Sequence, residues 1–471
     1  MFFIPLTLYV FTLAPSVTFG DSGELITAAY YLGISHPPGS PLWTLLAKLF
    51  TFIPLNSVAW RVNFSSAFFS AFASSLFFIV LASTAKLLEL KLNKLLAYSI
   101  AFVTTLLFAF SRTTWTISVM AEVWSLNNVL FCLLLLSLYG WLKTKKNIYL
   151  YLSAFISGLG LTNHYLFLIV LPPLIIWVLL NDFRLVKNFK LLFISFIFFL
   201  AGLSFYFYLP LRAQTNPVIN WGNPSTLQRL SDYLQRKQFG SNFQGEESNI
   251  GVYLPITPLN SVSDTISRIF SSFFSFSASL LYELPAWFLI SAFVGITFFF
   301  IFNRHNKNAF LWAILTIFFV LFSGWGFSFL TNAPQPRSNT FFTHYLFAFL
   351  TIHIWFFIAV VWLTEKLARS FGKLIVLAFI FVNVLLLISQ INSNFKIGDW
   401  SRNEIAYEHG MNILNTVDKN SIIIADKNNS IFPLLYLKTV EGKRPDVTLY
   451  DRSGNLFDQI YDVKTIAIRS F

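Results

Sequence analysis

Asp21 and Glu24 stand three residues apart in GDSGELITAAYYLGISHPPGSPLWTLLAKLF, residues 20–50. On a helix that spacing puts both carboxylates on one face. Paired acids suit proton transfer, because one of them can take the proton of an attacking hydroxyl. The same D-x-x-E pattern also fits a capping box, with Asp21 as the cap and Glu24 reaching back. Both readings can hold together. A low-dielectric setting would raise a carboxyl pKa and strengthen its interaction with nearby cations. His36 follows in His-Pro-Pro-Gly, a sequence that cannot continue a helix. A second short helical pattern then starts with Ser40 as cap and Pro41 at the first helical position. The segment reads as two short helices lying on a bilayer surface, with acids at the mouth of a helix bundle.

Other residues able to do chemistry are scattered. Asn163 and His164 form part of a polar Thr-Asn-His trio between two apolar runs. Polar groups at that depth are costly unless partnered, so they point to function. Glu122, in Ala-Glu-Val-Trp, is either a helix cap or the partner of an arginine. Arg61, Arg212 and Arg337 each lie at the end of an apolar run or in a short loop. Such arginines either snorkel to the interface or clamp a phosphate, for which the planar guanidinium is suited. No Gly-rich phosphate loop, zinc motif or Ser-His-Asp constellation stands out. The single cysteine, Cys132, excludes an intrachain disulfide and a Cys-based metal cluster. No metal and no cofactor are expected.

The elements that must position these residues are membrane helices. Of 471 residues, 56% are hydrophobic, 11% are charged and 57 are Phe, and the mean hydropathy is +0.64. Each bilayer-spanning helix needs about 20 apolar residues. Period-2 alternation is absent, which argues against a β-barrel. The formal charge of +12 lies mostly in short loops, where it sets topology rather than binding nucleic acid.

The expected fold is an all-α polytopic membrane bundle of about 11 transmembrane helices. They fall near 1–19, 60–85, 94–111, 122–141, 148–163, 164–180, 190–210, 284–302, 309–330, 344–363 and 373–392. The first run has no Lys or Arg ahead of it and is read as a retained helix rather than a signal peptide. Alternate loops carry the cationic sets Lys86, Lys91, Lys94; Lys143, Lys145, Lys146; Arg184, Lys187, Lys190; Arg304, Lys307; and Lys366, Arg369, Lys373. Those loops are assigned to the cytoplasmic side. Loops 20–59 and 211–282 and the tail then share the external side. The expected domains are a transmembrane unit, 1–392, and an external α/β unit, 393–471. In the tail, SIIIAD and DVTLYD read as strands around a helical IFPLLYLKTVE, implying a parallel β-α-β unit. The long 211–282 loop is polar, turn-rich and too long for a mere connector.

The segment 20–50 resembles the opening motif of a protein O-mannosyltransferase-like family of multi-pass membrane proteins, a branch of the GT-C glycosyltransferases. The resemblance continues through AWRVNFSSA, SVMAEVWSLNN, GLGLTNHY, YLPLRA with NWGNP, and NSIIIADKNNSIFPLLYLKTVEGKRPDVTLYD. It departs at Ser40, where Tyr is usual, and at Gln238-Phe239-Gly240, where Glu-Tyr-Gly is common. Members often continue with helical repeats after the tail. The resemblance implies a GT-C-like bundle with two surface helices in the first external loop. It also implies a polyprenyl-phosphate-linked sugar as donor substrate and an early acid, mapping onto Asp21, as general base. The expected activity is therefore inverting transfer of a sugar to a hydroxyl of an external protein or glycan acceptor. Glu24 would assist Asp21. Arg212, helped by Arg337 or His164, would stabilise the departing phosphate. The expected setting is the bilayer of the cell membrane, with the site facing outward. The rival reading is a transporter or flippase, but transporters place charges near the bilayer midplane, where this chain has few. A non-catalytic scaffold is a third reading.

Overall fold

The computed structural model describes residues 1–88, 93–237, 261–303, 305–331, 342–371, 373–452, 454 and 456. The first helix, α1 (Phe3–Phe11), is short. The expected run to residue 19 stops early because Pro15 disfavours helix at the residue before it. The released backbone is satisfied from elsewhere. The amide of Ala14 donates to Val119 O at 3.0 Å, and Asn63 Nδ2 donates to Ala14 O and Ser16 O. Backbone groups inside a membrane protein need such partners.

The two helices expected in the first loop are present: α2 (Ser22–Tyr31) and α3 (Pro41–Phe50). α2 is not a surface helix, because its residues from Ser22 to Ala29 are buried. It lies between the main bundle and the C-terminal unit. α4 (Val58–Leu87) opens on Ser57, whose hydroxyl accepts the amide of Trp60 at 3.1 Å. The bundle continues through α5 (Lys94–Ala109), α6 (Arg112–Ser118), α7 (Trp124–Thr144), α8 (Ile148–Asn163), α9 (Leu171–Asn181), α10 (Phe189–Leu203) and α11 (Tyr208–Ala213). α4 packs on α7, α7 on α8, and α8 on α10. Polar side chains link helices across the core. Ser70 donates to Ser125 at 2.8 Å, and the Trp312 and Trp355 indoles donate to Thr84 and Thr316. α8 and α10 approach through Gly158 and Gly202, each facing the other helix's backbone with no room for a Cβ. Small residues permit such contact in membranes.

The 211–282 loop holds more helix than its polarity suggests: α12 (Leu227–Leu234) and the 22-residue α13 (Val262–Glu283). α13 is bent by 115° against α14 (Ala286–Asn303), and Pro285 sits at the break, where an interior helix position is disallowed. Glu283 reaches across to the start of α6, accepting the Thr113 amide and its hydroxyl at 2.6 Å. α15 (Lys307–Val320), α16 (Phe327–Thr331), α17 (Leu346–Phe371) and α18 (Lys373–Gly398) complete the bundle.

Six described helices are long and apolar enough to cross a membrane, or eight if each of two bent pairs is one span. Three shorter apolar helices accompany them. The architecture is thus a multi-pass helical bundle, although several of the expected spans are short or broken.

Beyond Gly398 come α19 (Ile405–Thr416), β1 (Ile422–Ala425), α20 (Asn428–Thr439) and β2 (Thr448–Asp451). The strands pair in parallel, Ile422 opposite Thr448, as the β-α-β reading requires. α20 packs on both α2 and α19.

Gly158→Leu is expected to force α8 from α10 and to lower stability by about 1–3 kcal/mol. Thermal unfolding in detergent checks this; an unchanged midpoint would mean the helices do not cross there.

Candidate active site

The site grows from α2 and the loop after it. Glu24 is fully buried, and a buried carboxylate needs hydrogen-bonded partners. His36 supplies them twice: its amide donates to Glu24 Oε1 at 2.5 Å, and its ring Nδ1 lies 2.7 Å from Oε2. The other ring nitrogen, Nε2, faces Asp21 Oδ2 at 3.9 Å. Asp21 is partly exposed, with 36% side-chain accessibility. Its carboxylate does not cap α2, and Glu24 does not reach back, so the capping-box reading is corrected. His36 takes both Glu24 oxygens instead.

Glu122, Arg236, His164 and His344 join these three residues. Glu122, between α6 and α7, is within electrostatic reach of Asp21 and His36. Arg236, just after α12, is in reach of His36 and His164. Its guanidinium lies over the Tyr165 ring, 5.2 Å from the centroid. His164 follows α8, its ring centroid 4.4 Å from those of both Trp124 and Tyr165, with the ring planes tilted. His344 also lies against Trp124, at 4.8 Å, and 6.2 Å from the His164 ring. An acidic edge thus meets a cationic and aromatic edge.

Their charge states follow from burial and neighbours. Burial alone would lower His36, but Glu24 and Asp21 raise it to about 9. Burial raises Glu24 while His36 opposes that shift. Glu122 is pushed up to about 8 by burial and then by Asp21. His164 is held well below the usual histidine range by burial, then by His344 and Arg236. Its Nδ1 accepts the Leu166 amide at 3.1 Å, so the neutral ring carries its proton on Nε2.

The second long loop closes the site. A parallel bridge joins Ile34 to Asn220, with the Trp221 amide donating to Ile34 O at 3.1 Å. This seats Trp221 against the His36 ring at 6.1 Å. The Tyr233 hydroxyl of α12 donates to Ser35 O.

Of the residues singled out from sequence, Asp21, Glu24, His36, Glu122 and His164 converge. Asn163 adjoins His164; its Nδ2 donates to Val123 O and Asn127 Oδ1, while its buried Oδ1 accepts no hydrogen bond among the described residues. Arg212 is corrected as a phosphate clamp. Its Nε and one terminal nitrogen donate to Leu32 O and Tyr31 O, the last carbonyls of α2, and the other bonds Thr215. Arg61 likewise donates to the carbonyls of Thr51, Leu55 and Asn56. Arg337 lies outside the described residues. Arg236 and His344 were missed. Arg236 lies in a polar loop with no pattern to mark it, and His344 is masked by the apolar run it opens.

Asp21, Glu24 and His36 also offer ligand atoms within 4.8 Å of one another, a spacing a cation can bridge. Each Glu24 oxygen also accepts one hydrogen bond from His36.

Residues 21–187 match the family described as Protein O-mannosyl-transferase TMEM260 N-terminal domain. Over 467 residues the chain is 29% identical to Protein O-mannosyl-transferase TMEM260 of Mus musculus, across 94% of this chain. It is 26% identical to the Dictyostelium discoideum protein of the same name, across 95% of this chain. The chain is thus similar to the TMEM260 protein O-mannosyl-transferases along nearly its whole length. It spans 61% and 56% of the length of those two proteins. Its fold is similar to that of ArnT from Cupriavidus metallidurans, solved bound to undecaprenyl phosphate. That match has a TM-score of 0.52 and 11% identity, over 95% of this chain and 88% of that one. The Archaeoglobus fulgidus oligosaccharyltransferase, solved with Zn and sulfate, matches at TM-score 0.51 and 12% identity. It covers 96% of this chain and 62% of that one. The fold is therefore of the type seen in those two proteins.

His36 provides a pH test. A raised histidine pKa contributes stability that is complete below the unfolded value, 6.5, and lost as pH rises through about 9. The melting-temperature advantage of the native chain over His36→Gln should shrink across that upper limit. An advantage that does not change with pH would contradict the ion pair.

Proposed function

We propose that the chain is a membrane glycosyltransferase. It moves a sugar, mannose by analogy with its relatives' name, from a polyprenyl phosphate to a hydroxyl of an external protein or glycan. The observation that carries this reading is the partly exposed Asp21 carboxylate beside the buried Glu24–His36 pair, with Arg236 and His164 within electrostatic reach of His36. The bundle around it is of the type seen in ArnT bound to undecaprenyl phosphate.

Asp21 takes the proton of the acceptor hydroxyl as its oxygen attacks the anomeric carbon. A bond forms from that oxygen to carbon, and the bond from carbon to the phosphate oxygen breaks on the opposite face. The electron pair leaves on the polyprenyl phosphate, which departs as a dianion. A single displacement inverts the anomeric centre. Arg236, rather than Arg212, stands where a guanidinium can meet the growing phosphate charge. Neutral His164 offers its Nε2–H as a further donor. Glu24 does no proton transfer in this scheme; it holds His36, whose imidazolium faces Asp21. Trp124, Tyr165 and Trp221 supply apolar faces beside the polar centre. No resident metal is required when Arg236 and His36 supply the positive charge. The reading also places the site and the C-terminal unit outside the cell membrane, opposite the lysine-rich loops.

The purified protein should transfer a labelled sugar from polyprenyl phosphate to an acceptor. Asp21→Asn should lower the rate by about 10²–10⁴, and Arg236→Ala by about 10²–10³. Treatment with a chelator should leave the rate unchanged. Full transfer by Asp21→Asn, or movement of the lipid across vesicles without any transfer, would remove the proposal.

A further inference from the structure

The C-terminal unit touches the proposed base directly. Asn428, the first residue of α20, donates from Nδ2 to Asp21 Oδ1 at 3.2 Å, across 407 residues of chain. The next residue, Asn429, accepts the Gly20 amide on Oδ1 at 3.0 Å. Three residues further on, the Phe432 carbonyl lies where a side chain at position 23 would be, so Gly23 lets the two helices meet. At the far end of the same contact the Tyr31 hydroxyl donates to Thr439 O at 2.6 Å. α20 is thus laid along α2 from end to end, and its first side chain is aimed at the carboxylate.

The two oxygens of Asp21 are consequently unequal. Oδ1 accepts from the Asn428 amide, and Oδ2 faces His36 Nε2 at 3.9 Å. A carboxamide can donate to a carboxylate but cannot take its proton. We infer that Asn428 is a positioning residue of the C-terminal unit, holding Asp21 Oδ1 so that Oδ2 is the oxygen presented to the acceptor hydroxyl. The inference rests on the transferase reading above. It makes the α/β unit part of the working site rather than an appended domain. The titratable groups facing Asp21 are Glu24 on its own helix, His36 in the following loop and Glu122 between α6 and α7. Arg236 lies beyond His36. Asn428 adds a donor to this set without adding a charge.

Four full-length variants test it: Asn428→Ala, Asn428→Asp, Tyr31→Phe and Asp21→Asn. Tyr31→Phe removes a docking bond far from the carboxylate and reports on docking alone. Asn428→Ala should lower kcat by about 10–100-fold, the range seen when a supporting hydrogen bond is lost. The donor KM and the melting temperature should stay close to those of Tyr31→Phe. Asn428→Asp sets two carboxylates side by side, which disfavours ionising both. The acidic limb of its kcat profile should therefore move to higher pH. If both Asn428 variants keep the native kcat and pH profile, or lose activity only in step with their stability, the positioning role is wrong. Loss of transfer in Asp21→Asn alongside that result leaves the transferase reading standing. Native transfer by Asp21→Asn removes both.

Discussion

The buried Glu24 carboxylate is the constraint from which the rest of the site follows. A carboxylate shut away from water is tolerated only with partners for its lone pairs. His36 offers an amide and a ring nitrogen to the same carboxylate. To bring them there, the chain after α2 must turn back on itself. It leaves the helix through Leu32 in the left-handed region, with φ of 52°, and is then braced from outside. Tyr208 donates to Gly33 O, Ile34 bridges to Asn220, and Tyr233 donates to Ser35 O. All three braces come from the segment after α10. One buried charge thus obliges two distant loops to close on each other, and the wall made by Trp221 is a by-product of that closure.

The arginines divide by what surrounds them. The last carbonyls of a helix are unsatisfied and carry the negative end of its dipole. Arg212 sits at the end of α2 and is held by those carbonyls. Arg61 is held by loop carbonyls in the same way. Both fix backbone shape. Arg236 instead lies over an aromatic face beside two histidines. The three have identical side chains and differ in their neighbours, backbone carbonyls for Arg61 and Arg212, an aromatic ring and histidines for Arg236.

Much of this was legible before any coordinates. The bundle follows from the long apolar runs, the two short helices from His-Pro-Pro-Gly, and the parallel strand pair from SIIIAD and DVTLYD. The convergence of Asp21, Glu24, His36, Glu122 and His164 was readable because polar residues in so apolar a chain gather at the ends of spans. What sequence hid was anything set by contact. The cap pattern at Asp21 and Glu24 was equally good locally, and lost to a histidine 12 residues away. α13 was concealed by its serines, which return their hydroxyls to their own helix, as Ser279 does to Ser275 O. Arg212 looked as suitable for phosphate as any arginine until the end of α2 was placed beside it.

The contact between Asp21 and Asn428 also has a meaning in time. Its partners lie 407 residues apart in the chain. The opening loop enters its membrane hundreds of residues before α20 is synthesised. Until then the acid has no amide beside it and Gly23 has no helix to meet. That corner of the site is thus completed only once α20 has been made, and a chain interrupted before residue 428 lacks the amide beside Asp21.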